Sequence, residues 1–234
     1  MKKLFFVANW KSNKTIAEAH SFMTAFLSHE LIGALHIKSV QKDGHKEVIL
    51  CPPYTLLSDM SHMISQISPN LPISLGAQDV SPFKQGPHTG EESAEQLSEL
   101  VKYVIIGHSE RREDFRENDE LLEQKVKAAQ LFGLEPIFCV QGNQTAVPEG
   151  VRIIAYEPVD GISTGDVGQA LAPGKAEEVA GYFKSEKGIH HVLYGGSVNK
   201  DNVHTYTLQP SIDGVLVGGA SLDPILFSQI IQRA

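Results

Sequence analysis

Eight short apolar segments recur along the whole chain, and their number and spacing constrain the fold more than any other feature. Each has four or five residues, too few for a typical helix, and is rich in Val, Ile, Leu or Phe, as a strand buried on both faces should be. The segments are Leu4–Ala8, Val48–Cys51, Ile73–Ala77, Val104–Gly107, Pro136–Cys139, Ile153–Glu157, Val192–Gly195 and Gly214–Val217. Because helical stretches lie between most of them, the alternation predicts a parallel α/β architecture, and eight strands can close into a (β/α)8 TIM barrel.

Helix signals fall between the apolar segments, with one exception. Thr15 and Glu18 have the spacing of a capping box, and the sequence composition predicts helices over Asn118–Phe132 and Pro173–Lys187. The connection over residues 141–150 instead contains two glycines, a proline and no apolar periodicity. We therefore expect the barrel to lack the outer helix after its fifth strand.

Length, charge and cysteine content limit the class of protein. The 234 residues suit one domain, so we expect residues 1–234 to form a single barrel. A formal net charge of −8 argues against nucleic acid or an anionic membrane as the main partner, and no segment approaches the length of a membrane span. The two cysteines, Cys51 and Cys139, each end an apolar segment and indicate buried, inert thiols in a reducing, cytoplasmic setting.

Ionisable residues follow three of the apolar segments, at the strand ends where a parallel barrel binds its ligands. Asn9 and Lys11 follow the first segment, a dense polar group over His108–Arg112 follows the fourth, and Glu157 ends the sixth. Taken singly, each of these residues is more often a solvated surface group than a functional one. Their occurrence on several strand ends makes this edge of the barrel the candidate site.

Paired glycines follow the last two segments, at Gly195–Gly196 and Gly218–Gly219. Such pairs let backbone N–H groups approach an anion, and barrels commonly bind phosphate after strands 7 and 8. One pair alone more often marks a tight turn, but two on consecutive strands favour a phosphate site. The sequence has no metal-ligand spacing, no dinucleotide-binding fingerprint, no Walker loop and no Gly-x-Ser-x-Gly elbow.

Five of these segments together resemble motifs of the triosephosphate isomerase family, in the family's order. They are Asn9–Lys11, Gly107–Arg112, Tyr156–Pro158, Tyr194–Ser197 and Val217–Ser221. The resemblance extends from Phe6 to the C-terminal helix, and residues 76–91 look like the family's projecting third loop. It implies a glycolytic and gluconeogenic aldose–ketose isomerase that interconverts dihydroxyacetone phosphate and D-glyceraldehyde 3-phosphate through an enediolate and needs no cofactor.

The resemblance also implies catalytic roles for individual residues. Glu157 would be the base that moves a proton between C1 and C2, and His108 the neutral electrophile that polarises the carbonyl. The pKa of this histidine would be lowered by a helix that starts at Ser109–Arg112. Lys11 would place a positive charge beside the enediolate, and Asn9 would donate to the substrate oxygens.

The remaining implied residues bind, support or assemble. Glu110 resembles the carboxylate that holds Lys11 and assists proton transfer. Thr89 resembles the threonine that supports the catalytic asparagine and lysine of a neighbouring subunit, which implies a homodimer and leaves a tetramer open. Phosphate would be bound by the backbone N–H groups of Ser163, Ser197, Gly218 and Gly219.

Three positions near the proposed base depart from the family's pattern. The family usually has tryptophan where this chain has Asp160, glycine where it has Ser163, and glutamate where it has Gly142. In the family, that tryptophan and glutamate can meet when the lid over the site closes. Their paired loss beside Glu157 favours the hypothesis of an active enzyme with altered lid closure and unchanged chemistry.

Two other functions are compatible with the same residues. One is a different phosphate-binding barrel, with another aldose–ketose reaction or an aldolase reaction that would require Lys11 as its Schiff-base lysine. The other is a sugar-phosphate-binding barrel without turnover. The joint presence of Asn9, Lys11, His108 and Glu157 favours the isomerase.

Overall fold

The computed structural model describes residues 2–28, 46–67, 73–158 and 170–234, and within them eight parallel strands form a closed barrel in the order β1 to β8. The strands are β1 Leu4–Asn9, β2 Lys46–Cys51, β3 Ile73–Ala77, β4 Tyr103–Ile106, β5 Glu135–Val140, β6 Ile153–Tyr156, β7 His191–Tyr194 and β8 Gly214–Val217. Each predicted apolar segment lies on one strand, and its ends differ from the observed ones by at most two residues. The prediction of a (β/α)8 barrel is confirmed.

Helices cover the outside of the barrel. They are α1 Ile16–Phe26, α2 Tyr54–Ile67, α3 Ala94–Ser98, α4 Ser109–Asp114, α5 Asp119–Leu131, α6 Pro173–Lys187, α7 Val203–Thr207 and α8 Pro224–Arg233, with a short 3-10 helix over Gly219–Leu222. Residues 141–152, all of them described, connect β5 to β6 without a helix, which confirms the predicted omission. None of the described helices combines the length and the apolar character that spanning a membrane requires.

The ends of the helices follow from local side-chain chemistry. The Thr15 hydroxyl accepts the Glu18 backbone N–H, and the Glu18 carboxylate accepts the Thr15 backbone N–H, so the predicted capping box is confirmed. Asn118 caps α5 in the same way through the backbone N–H of Leu121. The observed α6 has the predicted bounds, Pro173–Lys187, and ends at a left-handed Gly188.

Side-chain alternation along the strands produces two apolar cores. Phe5 and Val7 belong to the cluster inside the barrel, which also contains the two buried cysteines. Phe6 and Ala8 belong to the larger cluster between strands and helices. With both faces buried, the barrel forms a rigid support for the residues that follow the C-terminal strand ends.

Candidate active site

Gly107 and His108 connect β4 to the short helix α4. Gly107 has φ of 74°, a left-handed conformation in which a side chain is strained, and an added Cβ would lie 3.1 Å from the Arg112 guanidinium. This turn makes His108 the N-cap of α4 and leaves its side chain almost fully buried. The imidazole therefore lies beside the start of a helix, where the backbone N–H groups have no partner within the helix, as the resemblance implied.

Hydrogen bonds assign the tautomer of the His108 ring. The backbone N–H of Glu110 donates to Nδ1 at 3.2 Å, so Nδ1 acts as the acceptor. On the other side of the ring, Nε2 lies 3.0 Å from Oε1 of Glu157. The ring proton thus belongs on Nε2, where it points toward the carboxylate.

Glu157 follows the last residue of β6 and is only 2% exposed. Its Oε2 accepts the backbone N–H of Ser109 at 2.9 Å, so both carboxylate oxygens have partners on the β4–α4 turn. The thiol of Cys139 also contacts this carboxylate, and burial together with the charge of Glu157 raises the thiol pKa well above its ordinary value. Cys139 is therefore a buried, un-ionised thiol, as predicted, although it lies closer to the candidate base than the sequence indicated.

The pKa of His108 differs in direction from the lowered value that the resemblance implied. Burial lowers this pKa, but the hydrogen bond and negative charge of Glu157, with a smaller contribution from Glu110, raise it above the ordinary histidine value. The difference arises because the Glu157 carboxylate is hydrogen-bonded to the ring in this arrangement. The pKa of His108 thus depends on where the Glu157 carboxylate lies.

Asn9 and Lys11 lie at the end of β1, beside the same turn. Nζ of Lys11 is 2.6 Å from Oε1 of Glu110, which places the predicted lysine and carboxylate in contact. Oδ1 of Asn9 accepts the backbone N–H of Lys11 at 3.1 Å. Lys11 has φ of 52°, an uncommon value for a residue other than glycine, so its position is set by a local turn rather than by strand alternation.

Gln78 is a residue of this site to which sequence reasoning assigned no role. Its Nε2 donates to the backbone carbonyls of Lys11 and Cys51, each at 2.9 Å. These two bonds connect the loop after β3 to the strained Lys11 backbone. The position of Gln78 directly after a buried strand was the available signal.

The glycine pair after β7 serves packing around the candidate base. A Cβ at Gly195 would lie 3.0 Å from Cγ of Glu157 and 3.2 Å from the Tyr156 carbonyl oxygen. A Cβ at Gly196 would overlap the Tyr194 hydroxyl. Gly196 therefore has a steric need for glycine, and at Gly195 a side chain would fit only if its neighbours gave way by a few tenths of an ångström.

The glycine pair after β8 lies in a more open setting. Gly218 precedes the 3-10 helix, and a Cβ there would be 3.5 Å from Cε of Lys11, an ordinary contact. A Cβ at Gly219 would meet no atom within 4 Å. The structure thus brings this pair next to Lys11, with free space above Gly219.

A buried ionic cluster holds α4, the helix that carries Glu110, in place. Nε of Arg111 is 2.8 Å from Oδ2 of Asp79, and its Nη2 is 2.6 Å from Oε1 of Glu117. Lys125, only 3% exposed, contacts the same two carboxylates at 2.6 and 2.5 Å. Taken alone, the polar group over His108–Arg112 was expected to be solvated, whereas Arg111 is half-buried and paired with Asp79 and Glu117.

The structure does not bring every predicted residue to the site. Thr89 is exposed on the loop that follows β3, and Phe83 on the same loop is 49% exposed and stacks on His88 with ring centroids 4.2 Å apart. Asp160 and Ser163 lie outside the described residues, so the predictions made for them stay predictions. Gly142 is described, and a Cβ there would meet no atom within 4 Å.

Comparisons with known proteins identify the family of this chain. Residues 4–234 match the model of the triosephosphate isomerase family. A triosephosphate isomerase of Synechococcus sp. (strain JA-2-3B'a(2-13)) is 38% identical over 99% of this chain and 97% of the relative. One of Mesomycoplasma hyopneumoniae (strain 232) is 37% identical over the whole of both chains. The chain therefore belongs to the triosephosphate isomerase family.

Proposed function

We propose that the protein interconverts dihydroxyacetone phosphate and D-glyceraldehyde 3-phosphate, with Glu157 as the base and His108 as the electrophile. Family membership supports the reaction. The observation that supports these two roles is the contact between Oε1 of Glu157 and Nε2 of His108, 3.0 Å apart and buried together. A carboxylate and an imidazole so placed can exchange protons with neighbouring atoms of one small substrate.

The proton transfer needs no cofactor, because one carbon of the substrate is oxidised while its neighbour is reduced. The Glu157 carboxylate takes a proton from C1 of the ketone, an enediolate forms, and the same carboxylate returns the proton to C2. The Nε2–H of His108 donates to the carbonyl oxygen O2, on which negative charge develops, and the ring takes up the proton of the O1 hydroxyl in return, so that the aldehyde forms at C1 and the hydroxyl at C2. To act in this way the carboxylate has to leave its partners on His108 and Ser109, and the substrate oxygen replaces it at Nε2.

Lys11 and Asn9 stabilise the enediolate. The Lys11 ammonium is directed toward the β4–α4 turn by Glu110, at 2.6 Å. A fixed positive charge in this partly buried position stabilises an anionic intermediate more than it would in water. Asn9, 4% exposed, donates its amide to the substrate oxygens and stabilises the Lys11 turn through its Oδ1.

The substrate phosphate is held by backbone N–H groups of Ser163, Ser197, Gly218 and Gly219. Support comes from the open space at Gly219 and from the nearness of Lys11, whose Cε would lie 3.5 Å from a Cβ added at Gly218. An anion over the start of the 3-10 helix meets N–H groups without intrahelical partners. Binding of the phosphate fixes the reacting carbons relative to Glu157 and supplies binding energy from a part of the substrate that does not react.

The protein acts as a homodimer in the cytoplasm, with residues 1–234 forming one barrel domain. The exposed loop that carries Phe83 and Thr89 supports the dimer, since it presents an apolar ring pair to its surroundings. In the dimer, Thr89 would support Asn9 and Lys11 of the second subunit. A tetramer built from such dimers is a further outcome that mass measurement in solution would reveal.

The reaction is tested by converting dihydroxyacetone phosphate in D2O and analysing the product by NMR. Transfer through a carboxylate base predicts exchange of the mobile proton with solvent, so deuterium appears at C2 of the aldehyde. A product without deuterium would contradict proton transfer through a carboxylate that exchanges with solvent. Reductive trapping with borohydride tests the aldolase alternative, in which Lys11 forms a Schiff base with the substrate. Borohydride would reduce that Schiff base and leave the substrate attached to Lys11, and this labelling would contradict the proposed mechanism.

A further inference from the structure

Arg112 joins the ends of two neighbouring strands through their backbone carbonyl oxygens. Its Nε donates to the Gly107 carbonyl at 2.8 Å, and its Nη2 donates to the Cys139 carbonyl at 3.4 Å. Gly107 follows the last residue of β4, and Cys139 is the next-to-last residue of β5. We call these two bonds from Arg112 the carbonyl clamp.

Two further contacts fix the Arg112 guanidinium in place. Nη1 lies 3.0 Å from Oδ1 of Asp119, and the guanidinium carbon lies 5.6 Å from the centre of the Phe138 ring. The Arg112 side chain is only 15% exposed. A planar guanidinium spreads its donors over a rigid fork and can bond two carbonyls and a carboxylate at once, whereas a lysine ammonium presents its donors from a single atom.

Each clamped strand end lies next to the backbone of a residue in the proposed proton transfer. At the end of β4, the clamped carbonyl belongs to the peptide that joins Gly107 to His108. On β5, Val140 follows Cys139 directly, and its carbonyl accepts the backbone N–H of Glu157 at 2.8 Å. The clamp therefore limits how the backbone of the electrophile can move relative to that of the base.

The proposed proton transfer is sensitive to that relative position. Oε1 of Glu157 lies 3.0 Å from Nε2 of His108, and Oε2 accepts the backbone N–H of Ser109 at 2.9 Å. The base and the electrophile have to reach neighbouring atoms of one three-carbon substrate, and a misplacement of about 1 Å costs about 10²-fold in rate. A side chain that ties the two backbones together can thus affect kcat without contacting the substrate.

We propose that Arg112 is a positioning residue for the isomerisation: it ties the end of β4, which His108 follows, to the end of β5, which holds Glu157. The inference rests on the proposed function, because it assigns Arg112 an effect on the proton transfer between those two residues and the substrate. Arg112 acts through two backbone carbonyls rather than on the substrate itself.

Arg112→Lys is the most direct test, because it keeps the positive charge and removes the fork that reaches both carbonyls. We expect kcat to fall about tenfold, while KM and the inhibition constant of inorganic phosphate stay within about threefold of wild type. Arg233→Lys on α8 is the matched control, since the Arg233 guanidinium also bonds a carboxylate, that of Asp201, and a backbone carbonyl, that of Lys200. This control should keep wild-type kcat. An unchanged kcat in folded Arg112→Lys, or a loss confined to KM and phosphate binding, would overturn the inference.

Titration of His108 by NMR separates positioning from a loss of stability. The Glu157 carboxylate raises the pKa of His108, so a ring that moves away from it should have a lower pKa in Arg112→Lys than in wild type. Val126→Ala truncates a fully buried side chain on α5 outside the clamp, so it should lower the melting temperature and leave kcat and the His108 titration unchanged. A lower melting temperature in Arg112→Lys with an unchanged His108 pKa would mean that Arg112 only stabilises the fold, and would overturn the inference.

A second variant covers the case in which Arg112→Lys does not fold. Asp119→Asn removes the carboxylate that holds Nη1 of Arg112, and the fold should tolerate it because the Asp119 side chain is 64% exposed. The guanidinium then loses one of its three polar partners, so we expect kcat to fall about threefold with a lowered His108 pKa. Wild-type values of both would contradict the proposal.

Failure of this inference is distinct from failure of the proposed function. Wild-type protein without isomerase activity would refute the function itself. An active wild type together with a fully active, folded Arg112→Lys variant would refute only the role of the carbonyl clamp.

Discussion

Oε1 of Glu157 lies 3.0 Å from Nε2 of His108, and both side chains are buried at the C-terminal ends of β6 and β4. The two residues are 49 positions apart in sequence, so only closure of the barrel brings them together. In this contact the Glu157 carboxylate raises the pKa of the His108 ring. The charge state of the proposed electrophile is thus coupled to the position of the proposed base.

The first prediction concerns the pKa of His108. Burial is the largest influence and lowers this pKa, but the hydrogen bond and charge of Glu157 together with the charge of Glu110 raise it above the ordinary value, so removing the carboxylate charge with Glu157→Gln should lower it. Titration of the imidazole C–H signals by NMR, assigned with a His108→Gln variant, measures the change. Glu123→Gln, which alters an exposed carboxylate on α5, should leave the His108 titration unchanged. A His108 pKa that rises or stays constant in Glu157→Gln would contradict the contact.

A second prediction concerns Gly195, where an added methyl group would collide with the candidate base. Gly195→Ala places a Cβ 3.0 Å from Cγ of Glu157 and 3.2 Å from the Tyr156 carbonyl. We expect kcat to fall by about three- to tenfold, because the neighbours have to give way by a few tenths of an ångström and a misplacement of about 1 Å costs about 10²-fold. The matched control is Gly174→Ala at the start of α6, where a Cβ meets no atom within 4 Å and activity should be unchanged. Wild-type kcat in Gly195→Ala would show that Glu157 does not react from this side.

The third prediction tests the proposed dimer through the loop after β3. Phe83→Glu places a charge on an apolar side chain that is 49% exposed and that we assign to the subunit interface. The variant should be monomeric by light scattering at micromolar concentration, with reduced activity because Thr89 no longer supports the second subunit. Leu208→Glu changes a leucine that is 77% exposed elsewhere on the surface and should leave the mass unchanged. A wild-type protein that is monomeric under these conditions would rule out the dimer.

A fourth prediction concerns stability at the opposite end of the barrel, where Glu47 is buried on β2. Burial raises the pKa of Glu47. Hydrogen bonds from Lys3 and Tyr103 and the charges of Lys3 and Lys102 lower this pKa by more than burial raises it, so the net shift is downward. A carboxylate with a lowered folded-state pKa stabilises the fold above its unfolded pKa of about 4.3, and this stabilisation is lost as the pH falls through the folded value. Glu47→Gln should therefore lower the unfolding free energy by about 1–3 kcal/mol at pH 7.

Denaturant unfolding of wild type and Glu47→Gln across pH 3 to 7 measures this dependence. The difference between the two proteins should be constant near neutrality and shrink below about pH 4. Glu123→Gln again serves as the exposed control. A difference that grows on acidification would mean that Glu47 is not stabilised as a carboxylate.

Local sequence patterns were sufficient for the framework of the fold. Strand positions, the capping box at Thr15 and the helix over Pro173–Lys187 depend on neighbouring residues, and so does the helix missing over residues 141–152. These features follow from side-chain periodicity and from turn-forming residues within a few positions. Contacts between residues distant in sequence therefore changed few of these predicted elements.

Features that depend on contacts distant in sequence could not be predicted. Lys11 was placed by strand alternation, but its backbone is left-handed and held by Gln78, 67 positions away. The glycines after β7 indicated an anion site, which stays a prediction, and the structure adds that a Cβ at Gly195 or Gly196 would crowd the side chain of Glu157 or Tyr194. For Lys11 and Gly195 the deciding neighbour comes from another strand end, which a one-dimensional pattern does not contain.

The central claim is that Glu157 is the base, and a comparison of kcat/KM for D-glyceraldehyde 3-phosphate between wild type and Glu157→Gln tests it most directly. The amide keeps the shape of the side chain and removes its basicity, so we expect a loss of about 10²- to 10⁴-fold with the melting temperature little changed. Glu123→Gln should retain full activity in the same coupled assay. A folded Glu157→Gln protein with kcat/KM within twofold of wild type would contradict the account.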